Sequence, residues 1–268
     1  MSEQYPVLFL ELFKNYPNNI KHGHNIIDGR GENAVFKLLK KLKAFFAWLI
    51  ENNITDNNPF LGYKLGSEHF GTPYYISIDE RNKIANTNML SLALDTQRDI
   101  FVFQCLVGCR VGDLMKLTHK NIVNGVLTYT PHKTQNEGMQ TTAARVPLIE
   151  EALSLIKKHE GEDVKGRIFP FISSQKYNDA IKRIFTIAGI TRNVQVRNAR
   201  TGEMEMKPIN KIASSHIARR TFCGNLYFKV QDPNLIGQMS GHVEGSRAFS
   251  RYRKIEDETL KDIVNLLK

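Results

Sequence analysis

Hydrophobic positions first recur with a helical period in residues 34–50, AVFKLLKKLKAFFAWLI. There Val35, Leu38, Leu39, Leu42, Phe45, Phe46 and Leu49 share one stripe, and Lys37, Lys40, Lys41 and Lys43 fill much of the remainder. The pattern predicts an amphipathic helix whose basic face reads equally as a solvated surface or as a contact for a polyanion. The following stretch, ENNITDNNPFLGYKLGSEHFGTP, is rich in Asn, Gly and Pro and breaks the period, which predicts a linker and a domain boundary near residue 72. Ser77 and Glu80 in SIDE then have capping-box spacing and mark a new helix.

Residues 91–118 read as two helices broken at GCRVGD. Two strand-like runs, GVLTYTPHK and TTAARVPL, predict a β-hairpin across a polar loop. Helical spacing resumes in EEALSLIKKH and YNDAIKRIFTIAG, and VQVRNARTGEMEMKPI alternates as a second hairpin about its Arg-Thr-Gly turn. The last third is helical: residues 215–229, DPNLIGQM with Asp232 as cap and Pro233 in the first turn, and a final helix ending DETLKDIVNLLK. The whole predicts a mainly α chain with small β-hairpins, an α+β fold.

Composition narrows the function. A chain of 268 residues, 41% hydrophobic, can bury a sizeable core as one large or two small domains. Lys and Arg outnumber Asp and Glu by 37 to 27, giving a net charge of +10, which favours nucleic acid or an anionic membrane surface as partner. No apolar run of about 18 residues is available to span a bilayer, and MSEQYPVLFLELF lacks a basic leader and cleavage site, so nucleic acid and a cytoplasmic location are expected. Cys105, Cys109 and Cys223 are an odd set inside apolar helical patterns; they read as core residues, and no His or Cys beside Cys105 and Cys109 completes a zinc site. His22 and His24 read as loop residues. Neither a P-loop nor an internal repeat is present in the sequence, and no metal or cofactor is expected.

One stretch runs against helix electrostatics. SSHIARRTF, residues 214–222, places His216, Arg219 and Arg220 in the first turns of a helix, where the partial positive end disfavours cations by roughly 0.3–1 kcal/mol each. His216 and Arg219 are three residues apart and share a face, so they can touch one object. A phosphate resolves the conflict, because free N–H groups, dipole, imidazole and guanidinium would converge on one anion. Upstream lies GCRVGDLMKLT, with Arg110 at a helix junction and Asp113 one turn on; downstream come SGH at 240–242 and Tyr252.

These boxes, with HKT at 132–134 and the tyrosine of SRAFSRYRKI, stand in the order and spacing of the tyrosine recombinases, or phage integrase family, which the chain resembles over about residues 30–268. The second hairpin and the ARR form of SHIARRTF look most like integrases of conjugative transposons. The resemblance implies a helical core-binding (SAM-like) domain over 1–72, shorter than usual, and a catalytic domain over 73–268. It implies site-specific recombination through a 3′-phosphotyrosyl intermediate, serving integration or excision of a mobile element without metal or ATP.

In that scheme Tyr252 attacks the scissile phosphate and Arg110 and Arg219 clamp its nonbridging oxygens with planar two-point contacts. His216 accepts the tyrosine proton, His242 donates to a phosphoryl oxygen and Lys133 protonates the leaving 5′ oxygen. Asp113 supports Arg110, Arg220 lies off the face in a structural contact, and Lys37, Lys40, Lys41 and Lys43 face DNA. The tail 256–267, with Leu260, Ile263, Val264 and Leu267 on one stripe, docks on a neighbouring protomer. The partners implied are double-stranded attachment sites, a DNA-bound homotetramer and accessory bending or excision factors. The short N-terminal part raises the expectation that the chain is a piece of a longer integrase. A type IB topoisomerase, a non-catalytic DNA-binding protein and a metal-dependent nuclease remain as rival readings.

Overall fold

The structure, a computed structural model, describes residues 21–22, 25–26, 31–132, 143–227, 229–230 and 232–242. Lys133, Tyr252 and the tail 256–267 lie outside the described residues.

Two units emerge. One comprises the described residues up to Gly71 together with Gln195–Met206; the other comprises Thr72–Val194 and the described residues from Lys207 onward. In the first, a short antiparallel pair, β1 (Lys21–His22) and β2 (Asn25–Ile26), precedes helix α1 (Glu32–Glu51). Helix α1 buries Val35 and Leu39 against Phe60, with Leu42, Phe46, Tyr63 and Leu65 around them. The predicted stripe is therefore only partly a core stripe: Phe45 and Trp48 stack on each other and stay about half exposed, at 52% and 51%. The predicted linker also folds onto the helix. His69 N–H donates to Asn33 Oδ1 at 2.9 Å, and Asn33 Nδ2 donates to His69 O at 2.6 Å.

The second unit is built around α3 (Leu92–Val107), whose positions Ile100–Phe103 are all buried. Around it pack α2 (Ile78–Asn86), α5 (Glu150–Lys158), α6 (Ser174–Ile187) and α8 (Ser215–Tyr227). Edge-on aromatic pairs join the layers, Phe101 with Phe185 at 5.4 Å and Phe103 with Phe169 at 5.0 Å between centroids. The Ser77 capping box opens α2, with reciprocal bonds of 3.1 and 2.9 Å to Glu80.

After α3 come the short α4 (Val111–Leu114) and a three-stranded antiparallel sheet of β3 (Ile122–Val123), β4 (Val126–Tyr129) and β5 (Ala144–Pro147), in that order. The β4–β5 register pairs Leu127 with Val146 and Tyr129 with Ala144, so the predicted hairpin exists but carries a third strand. Strands β6 (Asn193–Arg197) and β7 (Met204–Pro208) form the second hairpin, followed by α7 (Ile209–Ile212), α8 and α9 (Asn234–Ser240). The tip of that hairpin falls with the first unit. There Glu32 N–H donates to Ala199 O at 3.1 Å and Arg197 pairs with Glu32 at 2.8 Å, tying the tip to the start of α1.

One buried polar cluster joins the middle of α3 to the C-terminal end of α5. The Asp99 carboxylate is 3% exposed and receives Arg98, Lys158 and His159 at 2.9, 2.6 and 2.9 Å. Hydrogen bonds from His159 and Lys158 outweigh the cost of burial and hold Asp99 down to about 2.

Candidate active site

The site is made where two helices end. Helix α3 stops at Gly108 and α9 at Gly241, both at a φ of 68°, in the left-handed region that only glycine adopts freely. Neither position tolerates a side chain on packing grounds: a Cβ would sit 2.4 Å from the Phe222 ring at Gly108 and 2.5 Å from Pro131 at Gly241. These turns point helix-end carbonyls, which carry partial negative charge, at a common point.

Two arginines occupy that point. Arg219, on the second turn of α8, is 2% exposed; its Nη1 donates to Gly108 O at 3.0 Å and to Ser240 O, and its Nη2 to His242 Nδ1 at 2.9 Å. Arg110, in extended backbone just before α4, donates from Nη1 to Gly241 O at 3.2 Å. Burial and the neighbouring Arg219 lower the Arg110 pKa below its ordinary value. The C-terminal ends of α3 and α9 thus offset the repulsion between a buried and a half-buried cation, and their convergence leaves a demand for an anion.

The remaining groups follow from α8. The backbone N–H of Ser215 donates to Asn178 Oδ1 of α6 at 2.9 Å, so this helix start takes its capping acceptor from another helix. That leaves His216 exposed on the first turn, lining with Arg110, Asp113, Lys116, His132 and Arg219 a cleft of about 480 Å³. His242 ends α9, and burial, then Arg219, Arg110 and His216, push its pKa down to about 3. Because guanidinium only donates, the 2.9 Å contact makes His242 Nδ1 an acceptor and puts the imidazole proton on Nε2. Neutral His242 is therefore a hydrogen-bond donor.

Asp113 lines the same cleft as Arg110, and its charge acts to raise the Arg110 pKa. It is 7% exposed, its Oδ1 accepts the His132 backbone N–H at 3.0 Å, and among the described residues no ion pair joins it to Arg110. It fixes the chain at the threshold of the segment that holds Lys133. Arg220 turns away from the cleft and lies over the Tyr74 ring at 4.8 Å. On α1, Lys37 pairs with Glu68 at 3.2 Å and Lys43 donates to Tyr63 O at 3.2 Å, which leaves Lys40 and Lys41 as the exposed lysines without such a tether.

Several contributors carried little signal in the sequence. Gln104 interrupts the apolar run IFVFQCLV; fully buried, it donates to Cys109 O at 3.1 Å and accepts from Tyr177 Oη at 3.1 Å, fixing the turn before Arg110. Ser240, the first residue of SGH, contacts His242 Nδ1 at 2.8 Å. The Tyr129 hydroxyl is buried without a hydrogen-bond partner among the described residues, and desolvation pushes its pKa well above that of an ordinary phenol. All three cysteines are buried, and burial raises the Cys109 and Cys223 thiols to about 12 and about 11, as befits core residues. Among the described residues no His, Cys, Asp and Glu group is arranged to hold a metal ion.

The arginine pair, the two glycine-ended helices and the histidines lie within residues 78–259, which match the model of the phage integrase family. The chain belongs to that family. It is a tyrosine recombinase of α+β fold. Solved structures agree on the fold at low identity. The recombinase matches the Tn1549 transposon integrase in complex with a circular intermediate DNA at TM-score 0.67 and 15% identity, covering 100% of this chain and 85% of that one. It matches a lambda integrase dimer bound to a COC′ core site at 0.63 and 15%, covering 95% and 80%. A lambda integrase tetramer bound to a Holliday junction matches at 0.59 and 16%, covering 96% and 66%. No curated protein matches the recombinase. No helix among its described residues is long and apolar enough to cross a membrane.

Proposed function

We propose that the cleft between α4 and α8 is the scissile-phosphate site of a site-specific integrase of a mobile element, acting on double-stranded DNA. The observation that carries this reading is the convergence of Arg110 and Arg219 on the carbonyl ends of two helices, with His216 and His242 beside them. Two cations held that close favour an anion between them, and planar guanidinium groups suit the nonbridging oxygens of a phosphodiester.

Tyr252 then supplies the nucleophile. Its phenolic proton passes to His216, charge developing on the phosphoryl oxygens is met by Arg110, Arg219 and the Nε2–H of His242, and Lys133 protonates the departing 5′ oxygen. The tyrosyl phosphodiester keeps the energy of the broken bond, so a 5′ hydroxyl reseals it without ATP. Residues 1–72 act as the core-binding domain and 73–268 as the catalytic domain, with Lys40 and Lys41 toward the DNA backbone and Lys37 and Lys43 tethered to Glu68 and Tyr63 O. Recombination needs four cuts, which supports a homotetramer joined through the apolar stripe of 256–267 and assisted by DNA-bending or excision factors, acting in the cytoplasm.

The test is a nicked suicide substrate carrying candidate attachment sites, incubated in EDTA and resolved on a denaturing gel. Wild type gives a covalent protein–DNA adduct and Tyr252→Phe gives none. An adduct that survives Tyr252→Phe, or that requires a divalent ion, overturns the reading.

A further inference from the structure

His242 Nδ1 has two neighbours of different chemistry. Arg219 Nη2, at 2.9 Å, can only donate, whereas Ser240 Oγ, at 2.8 Å, can donate or accept. The serine hydrogen has its own acceptors one turn back in α9, Ile236 O at 2.6 Å and Gly237 O at 3.3 Å. With that hydrogen on Ile236 O, the Oγ lone pairs face Nδ1, an arrangement suited to an Nδ1–H that is absent while Arg219 donates there. Ser240 is fully buried, so water does not substitute for it.

We propose that Ser240 is a positioning residue that lets His242 gain a proton when an anion enters the cleft. Arg219 Nη2 turns to the anion, Nδ1 takes a proton from solvent, and the new Nδ1–H donates to Ser240 Oγ, whose own hydrogen stays on Ile236 O. His242 then becomes a cation with a donor on each nitrogen, and the phosphoryl group meets three positive charges instead of two. This rests on the reading of the cleft as a phosphate site.

The electrostatics supply the switch. Burial, and then Arg219 of α8, Arg110 before α4 and His216 of α8, oppose a further charge on His242. Strand β5, which also packs on α9, buries Ala144 and Val146 there and leaves Arg145 exposed. An anion between the arginines cancels much of the positive field at once. The sign is fixed by linkage: a group whose pKa rises on binding takes up a proton, so anion affinity strengthens as pH falls toward the raised value.

Inorganic sulfate serves as the probe, because it is a tetrahedral dianion that does not itself titrate near neutrality. The full chain is labelled with ¹⁵N-histidine, His242 is assigned with a His242→Gln variant, and ring shifts are followed between about pH 3 and 8 with and without saturating sulfate. In wild type, sulfate raises the His242 midpoint by about two units or more; Ser240→Ala loses at least half of that rise, and Ser240→Thr, which keeps the hydroxyl, retains it. Sulfate that shifts His216 but leaves His242 unprotonated overturns the proposal in wild type alone, without reliance on a variant that folds. A full rise in Ser240→Ala overturns it as well. No response from His216 or His242 refutes the anion site itself and the proposal with it, a result distinct from loss of the Tyr252 adduct.

Discussion

Replacing Arg219 by Ala deletes three charge-assisted hydrogen bonds, to Gly108 O, Ser240 O and His242 Nδ1, of which the two carbonyls belong to buried residues. At roughly 1.5–3 kcal/mol each the gross loss is about 4–9 kcal/mol. Relief of the repulsion with Arg110 and of the cost of burying a guanidinium offsets part of this, so the net destabilisation is about 3–5 kcal/mol. Arg110→Ala is the contrast: it loses one contact, at 3.2 Å to Gly241 O, from a half-buried side chain, and relieves the same repulsion, for a net of about 0–1 kcal/mol. Urea unfolding separates the two. With m near 3 kcal/mol/M, Arg219→Ala lowers the midpoint by about 1–1.7 M and Arg110→Ala by at most about 0.3 M, with m unchanged. Both variants lose suicide-substrate cleavage under conditions where they remain folded, by about 10²–10³ in rate. An Arg219→Ala midpoint within about 0.2 M of wild type would refute the argument that this side chain holds the ends of α3 and α9 together.

Further outcomes follow from other parts of the structure. His159 faces Asp99 through Nε2 at 2.9 Å and Glu162 through Nδ1 at 2.8 Å, so both ring nitrogens donate and its pKa is raised, chiefly by the Asp99 bond. Its stabilisation is complete below the ordinary histidine value and fades as pH rises through the raised one, whereas that of Asp99, held at about 2, is present above the ordinary aspartate value and is lost as pH falls toward 2. His159→Gln therefore costs more at pH 6 than at pH 9, each measured by urea unfolding; a gap that widens with pH contradicts the assignment. Gly241→Ala combines a φ of 68° with a Cβ 2.5 Å from Pro131, and a loss of about 2–4 kcal/mol is expected by thermal unfolding; a stability equal to wild type shows that the α9 end relaxes freely. Neutralising Lys40 and Lys41 together flattens the dependence of log K on log salt by up to about two units in a DNA titration, and an unchanged slope removes α1 from the interface.

Much of this protein was written in its sequence. The helix of residues 34–50, the Ser77 box, both hairpins and the break at GCRVGD are local patterns, set by apolar period, capping chemistry and the backbone demands of glycine, and they reappear within a few residues of their expected bounds. Arg110, His216, Arg219 and His242 were legible because their residue types and order carry the family's signature, and the paradox of cations at a helix start pointed toward an anion. What the sequence did not contain was the company these residues keep. That Arg219 is held by the carbonyl ends of α3 and α9, that Asp113 takes the His132 N–H, that Asn178 of α6 caps α8 and that Ser240 shadows His242 are contacts between residues 19, 21, 37 or more than a hundred positions apart, or hidden in the orientation of one hydroxyl. The same holds for Phe45 and Trp48, which share the apolar stripe of α1 yet stay half exposed, and for the hairpin tip that joins the first unit. Periodicity reports which side of an element is apolar, but the number of neighbours available to cover it, and the direction in which a buried donor finds its acceptor, are decided only when distant segments pack.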